Sequence, residues 1–371
     1  MLRARVVAPR ASAQAPPAAT STSAIRIACR PSQLAKLQAQ EVAALLRKVR
    51  PEWTEASFEL VALATAGDEN ASAELRSLGQ GAFTEAIDAA VSRGEVDVGV
   101  HSLKDVAVVL PDGVTIAACL PRDDPRDALV SLTAHTLADL PSGARVGTSS
   151  LRRKAQLLAA HPHLRVVPLR GNIDARLQAL QAGELDAIVL AAAGLSRLGR
   201  ADVITRVLDF GEMLPAACQG AVGVTCRAAD AGLRWELGLC CHEPTRLEVA
   251  AERAILAAIL MPRDAPPAEG GAALAAGPVP PGGGGHLAPV LGLSRITGLP
   301  LLPAFAVAGH AAFDPHDGSL NVDALVASPD GHALHRVRVA GSAGDPASAA
   351  EIGADAGAQL RRFADSHGWL D

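Results

Sequence analysis

The stretch Ile25-Arg26-Ile27-Ala28-Cys29-Arg30-Pro31-Ser32, with the residues that follow it, decides the fold. Ile25-Arg26-Ile27-Ala28 reads as a short strand, and Leu34, Leu37, Val42, Leu45, Leu46 and Val49 then fall on one face of a helix. A strand that passes into a helix within a few residues is the building unit of a parallel sheet covered by helices. The unit recurs. A strand at 58–64 ends in Thr65-Ala66-Gly67-Asp68, and an amphipathic helix follows around 83–91. The alternating strand Val96-Asp97-Val98-Gly99-Val100 then runs into His101-Ser102-Leu103-Lys104-Asp105.

A second block repeats this logic, with strands at 145–146, 166–169 and 187–190 and helices opening near Ser150 and Ala175. The chain is therefore expected to be α/β, with two periplasmic-binding-protein-like lobes on mostly parallel sheets and a cleft between them. Lobe 1 is expected over 25–120 and 216–240, and lobe 2 over 121–215. From 243 to 371 a helix at 247–260, short strands near 305–308, 320–327 and 335–339, and a closing helix at about 349–364 predict a small α+β third domain. It is interrupted at 262–303 by a tract with nine Pro and nine Gly, whose composition predicts loop or disorder.

Composition excludes several functions. In 371 residues the formal net charge is -5, aromatics make up 2% and Tyr is absent, so neither a basic field nor stacking platforms for nucleic acid are expected. No apolar run approaches the roughly 18 residues of a membrane-spanning helix. Six cysteines stand at 29, 119, 218, 226, 240 and 241 without C-x-x-C or zinc-finger spacing, so no metal site is expected. Arg3, Arg5 and Arg10 lie among Ala, Ser, Thr and Pro with no acidic residue before Glu41, which reads as an organelle transit peptide over 1–24.

In open parallel sheets ligands bind beyond the carboxyl ends of the strands. Here those ends carry Arg30, then Lys104 and Asp105, then Arg152 and Arg153, then Arg170 with Arg176 after it, and Arg197. Guanidinium matches carboxylate in a planar two-point fork, so an arginine-lined cleft predicts a ligand rich in carboxylates or phosphates. Thr148, Ser149 and Ser150 at a helix start can cap free N–H groups or share them with an anion. Gly171 fits a tight turn that brings backbone close to ligand. Asp105, one carboxylate amid cations, suits stabilisation of a cationic intermediate; a plain ion pair is the alternative. His101 reads as structural.

These segments resemble, in order, the signature stretches of porphobilinogen deaminases: Arg30-Pro31-Ser32, Val100-His101-Ser102-Leu103-Lys104-Asp105-Val106, and Arg122-Asp123-Asp124-Pro125-Arg126-Asp127. They continue with Val146-Gly147-Thr148-Ser149-Ser150-Leu151-Arg152-Arg153, Leu169-Arg170-Gly171-Asn172, Ala193-Gly194-Leu195-Ser196-Arg197-Leu198-Gly199 and Gln219-Gly220-Ala221-Val222-Gly223. The resemblance implies a transferase that condenses four porphobilinogen molecules into linear hydroxymethylbilane with release of ammonia. It implies a dipyrromethane cofactor, and Asp105 as the catalytic group that holds pyrrole N–H groups. Arg30, Ser32, Ser102, Lys104, Thr148, Ser149, Ser150, Arg152, Arg153, Arg170, Gly171, Arg176, Arg197 and Gln219 would bind substrate and cofactor. A monomer in the plastid stroma is implied, with the mitochondrion as alternative, and no nucleic-acid or membrane partner.

The chain departs from this pattern at one place. The family tethers its cofactor through a cysteine in a loop soon after Ala251-Glu252-Arg253-Ala254, yet no cysteine follows Cys241. The nearest likeness, Glu269-Gly270-Gly271-Ala272, carries alanine, which has no nucleophile. An inactive relative or a mis-predicted product that binds polycarboxylate tetrapyrroles without turnover is therefore the alternative. A milder departure is Gly79-Gln80-Gly81, where the family reads Gly-Lys-Gly.

Overall fold

The computed structural model describes residues 24–69, 81–261 and 305–370. The transit segment expected over 1–24, all but its last residue, falls outside the described residues, as do Gly79 and Gln80, the tract at 262–303 and Ala272 within it.

The first sheet takes up β1 (Ile25–Cys29), β2 (Phe58–Ala62), β3 (Val98–Ser102) and β4 (Val114–Cys119). The helices α1 (Gln33–Val49), α2 (Ala66–Glu69) and α3 (Glu85–Ser92) lie between those strands in sequence. Ser32 starts α1 by accepting a hydrogen bond from the N–H of Ala35 at 3.3 Å, and the helix buries Ala35, Ala39, Val42 and Leu46.

The chain then crosses to the second sheet: β5 (Asp127–Ser131), β6 (Arg145–Gly147), β7 (Arg165–Val167), β8 (Ala187–Ala191) and β9 (Arg206–Val207). Helices α4 (Leu151–Ala160), α5 (Ile173–Gln181) and α6 (Ala192–Arg197) follow β6, β7 and β8 in turn. It returns with β10 (Val222–Arg227), α7 (Ala231–Gly238) and α8 (Glu243–Leu260). Beyond lie β11 (Ala306–Asp314), β12 (Ser319–Ala327), β13 (Leu334–Ser342) and α9 (Pro346–Ser366).

The sheet orders are β2-β1-β3-β10-β4 and β7-β6-β8-β5-β9. In each, the strands of the strand–helix units pair in parallel: β1 with β2 and β3, and β6 with β7 and β8. The strands next to the crossings run antiparallel, β10 against β3 and β4, and β5 against β8 and β9. The direction follows from the path: β4 runs out of lobe 1 into the outgoing crossing and β10 comes back in from the return crossing between β3 and β4, so it must run the other way.

The third sheet is antiparallel, ordered β11-β12-β13, with α8 and α9 packed together against it. Gly353 and Gly357 of α9 face the backbone of Ala251 and Ile255 on α8, where a Cβ would collide with main chain. A core of Leu247, Ala251 and Ile255 on α8 with Leu320, Val322 and Ala324 on β12 is continuous with Leu103, Ile116 and Cys119 of lobe 1. A smaller apolar cluster joins Ala155 of α4 and Leu214 to Ala306, Ala308, Leu325 and Ala327. The third domain thus packs on both lobes beside their crossings.

Candidate active site

Between the lobes opens a cavity of about 900 Å³. Lobe 1 contributes Arg30, Ser32, Ser102, Lys104 and Asp105; lobe 2 contributes Ser149, Ser150, Arg152, Arg153, Arg170, Gly171, Arg176 and Arg197. Gln219 lies at the crossing, and Leu256, Leu260 and Phe305 form an apolar wall from the third domain. Of the site residues named from the sequence and described here, all but the buried Thr148 line this cleft.

The position of each group follows from local structure. Lys104 and Asp105 sit in a single 3-10 turn, Leu103–Asp105, directly after β3, with Leu103 buried beneath as its anchor. Arg30 follows β1, gives two hydrogen bonds to the carboxylate of Asp68 and lies with its guanidinium 4.3 Å over the ring of Phe83. Neither Asp68 nor Phe83 was marked by the sequence as part of the site.

The three hydroxyls at the start of α4 are engaged within the protein. Ser150 accepts from the N–H of Arg153 at 3.4 Å, Thr148 accepts from the N–H of Ser150 at 3.1 Å, and Ser149 exchanges bonds with both backbone groups of Leu169 at 3.0 Å. Together they shape the loop that faces the cleft. Gly171 has φ +101°, a left-handed conformation that favours glycine.

Arg152 and Arg153 converge on Asp127, whose side chain is fully buried at the first residue of β5. Arg152 Nη1 and Arg153 Nη2 each approach it at 2.7 Å, and Arg153 Nε at 3.1 Å. Burial pushes this carboxyl up, but the two guanidiniums outweigh it and hold it well below the usual carboxylate range. Asp127 appears in a quoted motif, but no local pattern marks it as the partner of residues 25 positions away.

Arg176 points the other way electrostatically. Burial first, then the like charges of Arg153 and Arg170, push it down to about 10, with Asp105 opposing. Its Nε donates to the carbonyl of Gly171 at 2.9 Å. A cluster of like charges at one wall of a cleft is costly by itself and is relieved by an anionic guest. Arg197, ending α6, instead ties the lobes: Nε lies 2.8 Å from Asp123 in the crossing and 3.8 Å from Glu41 of α1.

Lys104 lies deep between the lobes yet open to water in the cleft. That depth, with Arg153 and Arg152 against it and Asp105 and Asp127 in its favour, pushes the ammonium down to about 8. His101 lies on β3 away from the cleft, buried with Nε2 3.1 Å from Asp88 and 3.0 Å from Thr225 Oγ1.

The cleft thus sets Asp105 among the cations of both lobes. The sequence pattern described as "Porphobilinogen deaminase, dipyromethane cofactor binding domain" matches residues 25–234. A porphobilinogen deaminase of Syntrophobacter fumaroxidans is 39% identical over 91% of this chain and 94% of its own length. The chain belongs to the porphobilinogen deaminase family. It is an enzyme of the transferase class. The chloroplastic porphobilinogen deaminase of Oryza sativa subsp. japonica is 44% identical over 68% of this chain and 70% of its own. That of Chromobacterium violaceum is 48% identical over 62% and 74%.

The family's dipyrromethane can be set against this cleft. A dipyrromethane with acetate and propionate side chains matches the donors: guanidiniums at Arg170 and Arg176 for carboxylates, and an acceptor at Asp105 for pyrrole N–H groups. A thioether to the protein does not match. Cys29, Cys119, Cys218 and Cys226 are buried, Cys240 and Cys241 half-buried, and no cysteine lines the cleft. Among the described residues no helix is long and apolar enough to cross a membrane.

Proposed function

We propose that this chain is a hydroxymethylbilane synthase that condenses four porphobilinogen molecules head to tail, releasing one ammonia per addition. The observation that carries this is Asp105, set on its turn between the cation-lined lobes. Porphobilinogen brings an acetate and a propionate, so each unit of a growing chain adds two carboxylates for Arg170, Arg176 and Lys104 to hold. Loss of ammonia from the aminomethyl group leaves a cationic methylene-pyrrole. The Asp105 carboxylate faces that charge and accepts from the pyrrole N–H, lowering the energy of the cation as it forms. The arginines hold the carboxylates so that the free α-carbon of the chain bonds to the methylene carbon; the α-hydrogen then leaves as a proton, which the released ammonia can take up. A dipyrromethane held by Arg170, Arg176 and Asp105 would supply the first such α-carbon.

Arg30, Ser32, Ser102, Ser149, Ser150 and Gln219 complete the binding wall in this reading, and Arg152, Arg153 and Arg197 shape it from behind their ion pairs. We further propose a monomer that works in the plastid stroma, for which the chloroplastic relative is the support, with the mitochondrion as alternative. A second reading, binding of polycarboxylate tetrapyrroles without turnover, is favoured by one observation: no cysteine lines the cleft or follows Cys241. Calorimetric titration with porphobilinogen, followed by assay of what remains, separates the two. Consumption supports the synthase, and heat of binding with porphobilinogen recovered intact supports the binding protein.

A further inference from the structure

Gln219 Nε2 donates to Asp127 Oδ1 at 2.9 Å and to the carbonyl of Pro125 at 2.8 Å. Both amide hydrogens are thereby used on acceptors, which fixes the orientation of the side chain: its carbonyl oxygen must face the other way. There it accepts from Lys104 Nζ at 3.3 Å. Turned over, the amide would set its carbonyl oxygen against the Asp127 carboxylate and the Pro125 carbonyl, and its N–H groups against an ammonium, so the observed arrangement is the one that satisfies every group. Gln219 and Asp127 are both buried, at 1% and 0% exposure, so water cannot substitute for either partner.

A continuous path of bonds therefore starts at β5 of lobe 2, passes through a residue of the return crossing and ends on lobe 1, at the residue before Asp105. We infer that Asp127 is a positioning residue for the reaction: acting through Gln219, it holds the Lys104 ammonium charged and in place beside Asp105 across the junction of the two lobes. The inference rests on the reading of the cleft as a polycarboxylate site. In that reading Lys104 grips a carboxylate of the guest only while protonated, and only while the lobes keep Gln219 within reach.

Asp105 and Asp127 favour the protonated form of Lys104, and Arg152 and Arg153 oppose it. Removal of Asp127 leaves Arg152 and Arg153 without their shared carboxylate and Asp105 alone in favouring the Lys104 ammonium. Farther along the wall, Arg170 and Arg176 add further positive charge. The carboxylate of Asp127 thus does two things: it absorbs the charge of the arginine pair, and it aims a dipole at the lysine.

The protein has only four lysines, at 36, 48, 104 and 154, so the ammonium can be followed directly. The full chain, labelled at lysine Cε and Nζ, is titrated by NMR, with Lys104→Arg to assign the signal. The native protein should show the Lys104 signal with its midpoint depressed, at about 8. In Asp127→Asn that midpoint should fall by about one pH unit or more, the scale of losing a nearby opposite charge. The alkaline limb of kcat/KM for porphobilinogen should move down with it, KM should rise more than kcat falls, and Lys104→Arg in the Asp127→Asn background should restore the alkaline limb. Should Asp127→Asn fail to fold, Gln219→Leu breaks the path without touching the arginine pair and should lower the same midpoint. An unchanged Lys104 midpoint in whichever variant folds overturns the inference. The titration does not depend on turnover, so a shifted midpoint in a protein that consumes no porphobilinogen would sink the proposed reaction and leave Asp127 positioning Lys104 for binding alone.

Discussion

Arg122 and Glu252 form a buried two-point ion pair, Nη1 to Oε1 at 2.8 Å and Nη2 to Oε2 at 3.0 Å. Arg122 belongs to the outgoing crossing between the lobes and Glu252 to α8. The same carboxylate accepts from the N–H of Cys218, in the return crossing, and from that of Ala311 on β11 at 2.7 Å. One side chain with no exposure thus fastens both crossings to the third domain.

Glu252→Gln should destabilise the fold by about 3 kcal/mol, because it takes the two-point partner from the buried Arg122 guanidinium and leaves it only Glu248, at 3.3 Å. Urea unfolding of the two proteins measures this, and a change below about 1 kcal/mol would deny the pair its structural role.

The same residue predicts how stability falls in acid. Burial pushes Glu252 up, but Arg122 and neighbouring His310 outweigh it and bring the carboxyl down to about 2, from 4.5 when unfolded. A lowered carboxyl stabilises above the unfolded value and loses that contribution as pH falls through the folded one. Roughly 3 kcal/mol should therefore disappear between about pH 4.5 and 2. Tm followed over that window should drop less steeply in Glu252→Gln than in the native chain.

Asp105→Asn should keep the fold, since Asp105 is half-buried on a turn anchored by Leu103 rather than by its own side chain. Turnover of porphobilinogen should fall about 100-fold or more, the loss expected when a preorganised charge opposite a developing cation is removed. Native-like turnover would remove Asp105 from the chemistry.

Arg176→Leu should raise KM for porphobilinogen about tenfold or more, the scale of a lost charge-assisted hydrogen bond. Tm should stay level or rise, because Arg153 and Arg170 already oppose the Arg176 charge. A fall in Tm with KM unchanged would mean that Arg176 supports the fold and not the guest.

Gly353→Ala should cost about 1–3 kcal/mol through a forced separation of α8 and α9, as overpacking does. A Cβ there meets the carbonyl of Ala251, which is main chain and cannot turn aside. Chemical denaturation of the variant is the check.

The strand–helix units were legible because their signals are local: alternation at Val96-Asp97-Val98-Gly99-Val100 and a one-sided apolar face after Ser32. Val114-Thr115-Ile116-Ala117-Ala118-Cys119 was not, since β4 is buried throughout and carries no alternation to mark it. The reversed direction of β10 belongs to the path of the whole chain. In the site, the arginines were visible as charges at strand ends, but their partners were not. Asp127 meets Arg152 and Arg153 only after β5 and α4 pack, and Glu252 meets Arg122 across 130 positions. The hydroxyls of Thr148, Ser149 and Ser150 could equally hold an anion or a loop in sequence; in the fold they hold the loop.

The central claim is that the cleft around Asp105 performs the condensation. Recombinant protein from Ile25 onward, given porphobilinogen, should consume it with release of one ammonia per molecule and yield hydroxymethylbilane, read as uroporphyrin after cyclisation and oxidation. Porphobilinogen that remains intact in the presence of folded protein would contradict the claim and leave this chain as a tetrapyrrole-binding member of its family.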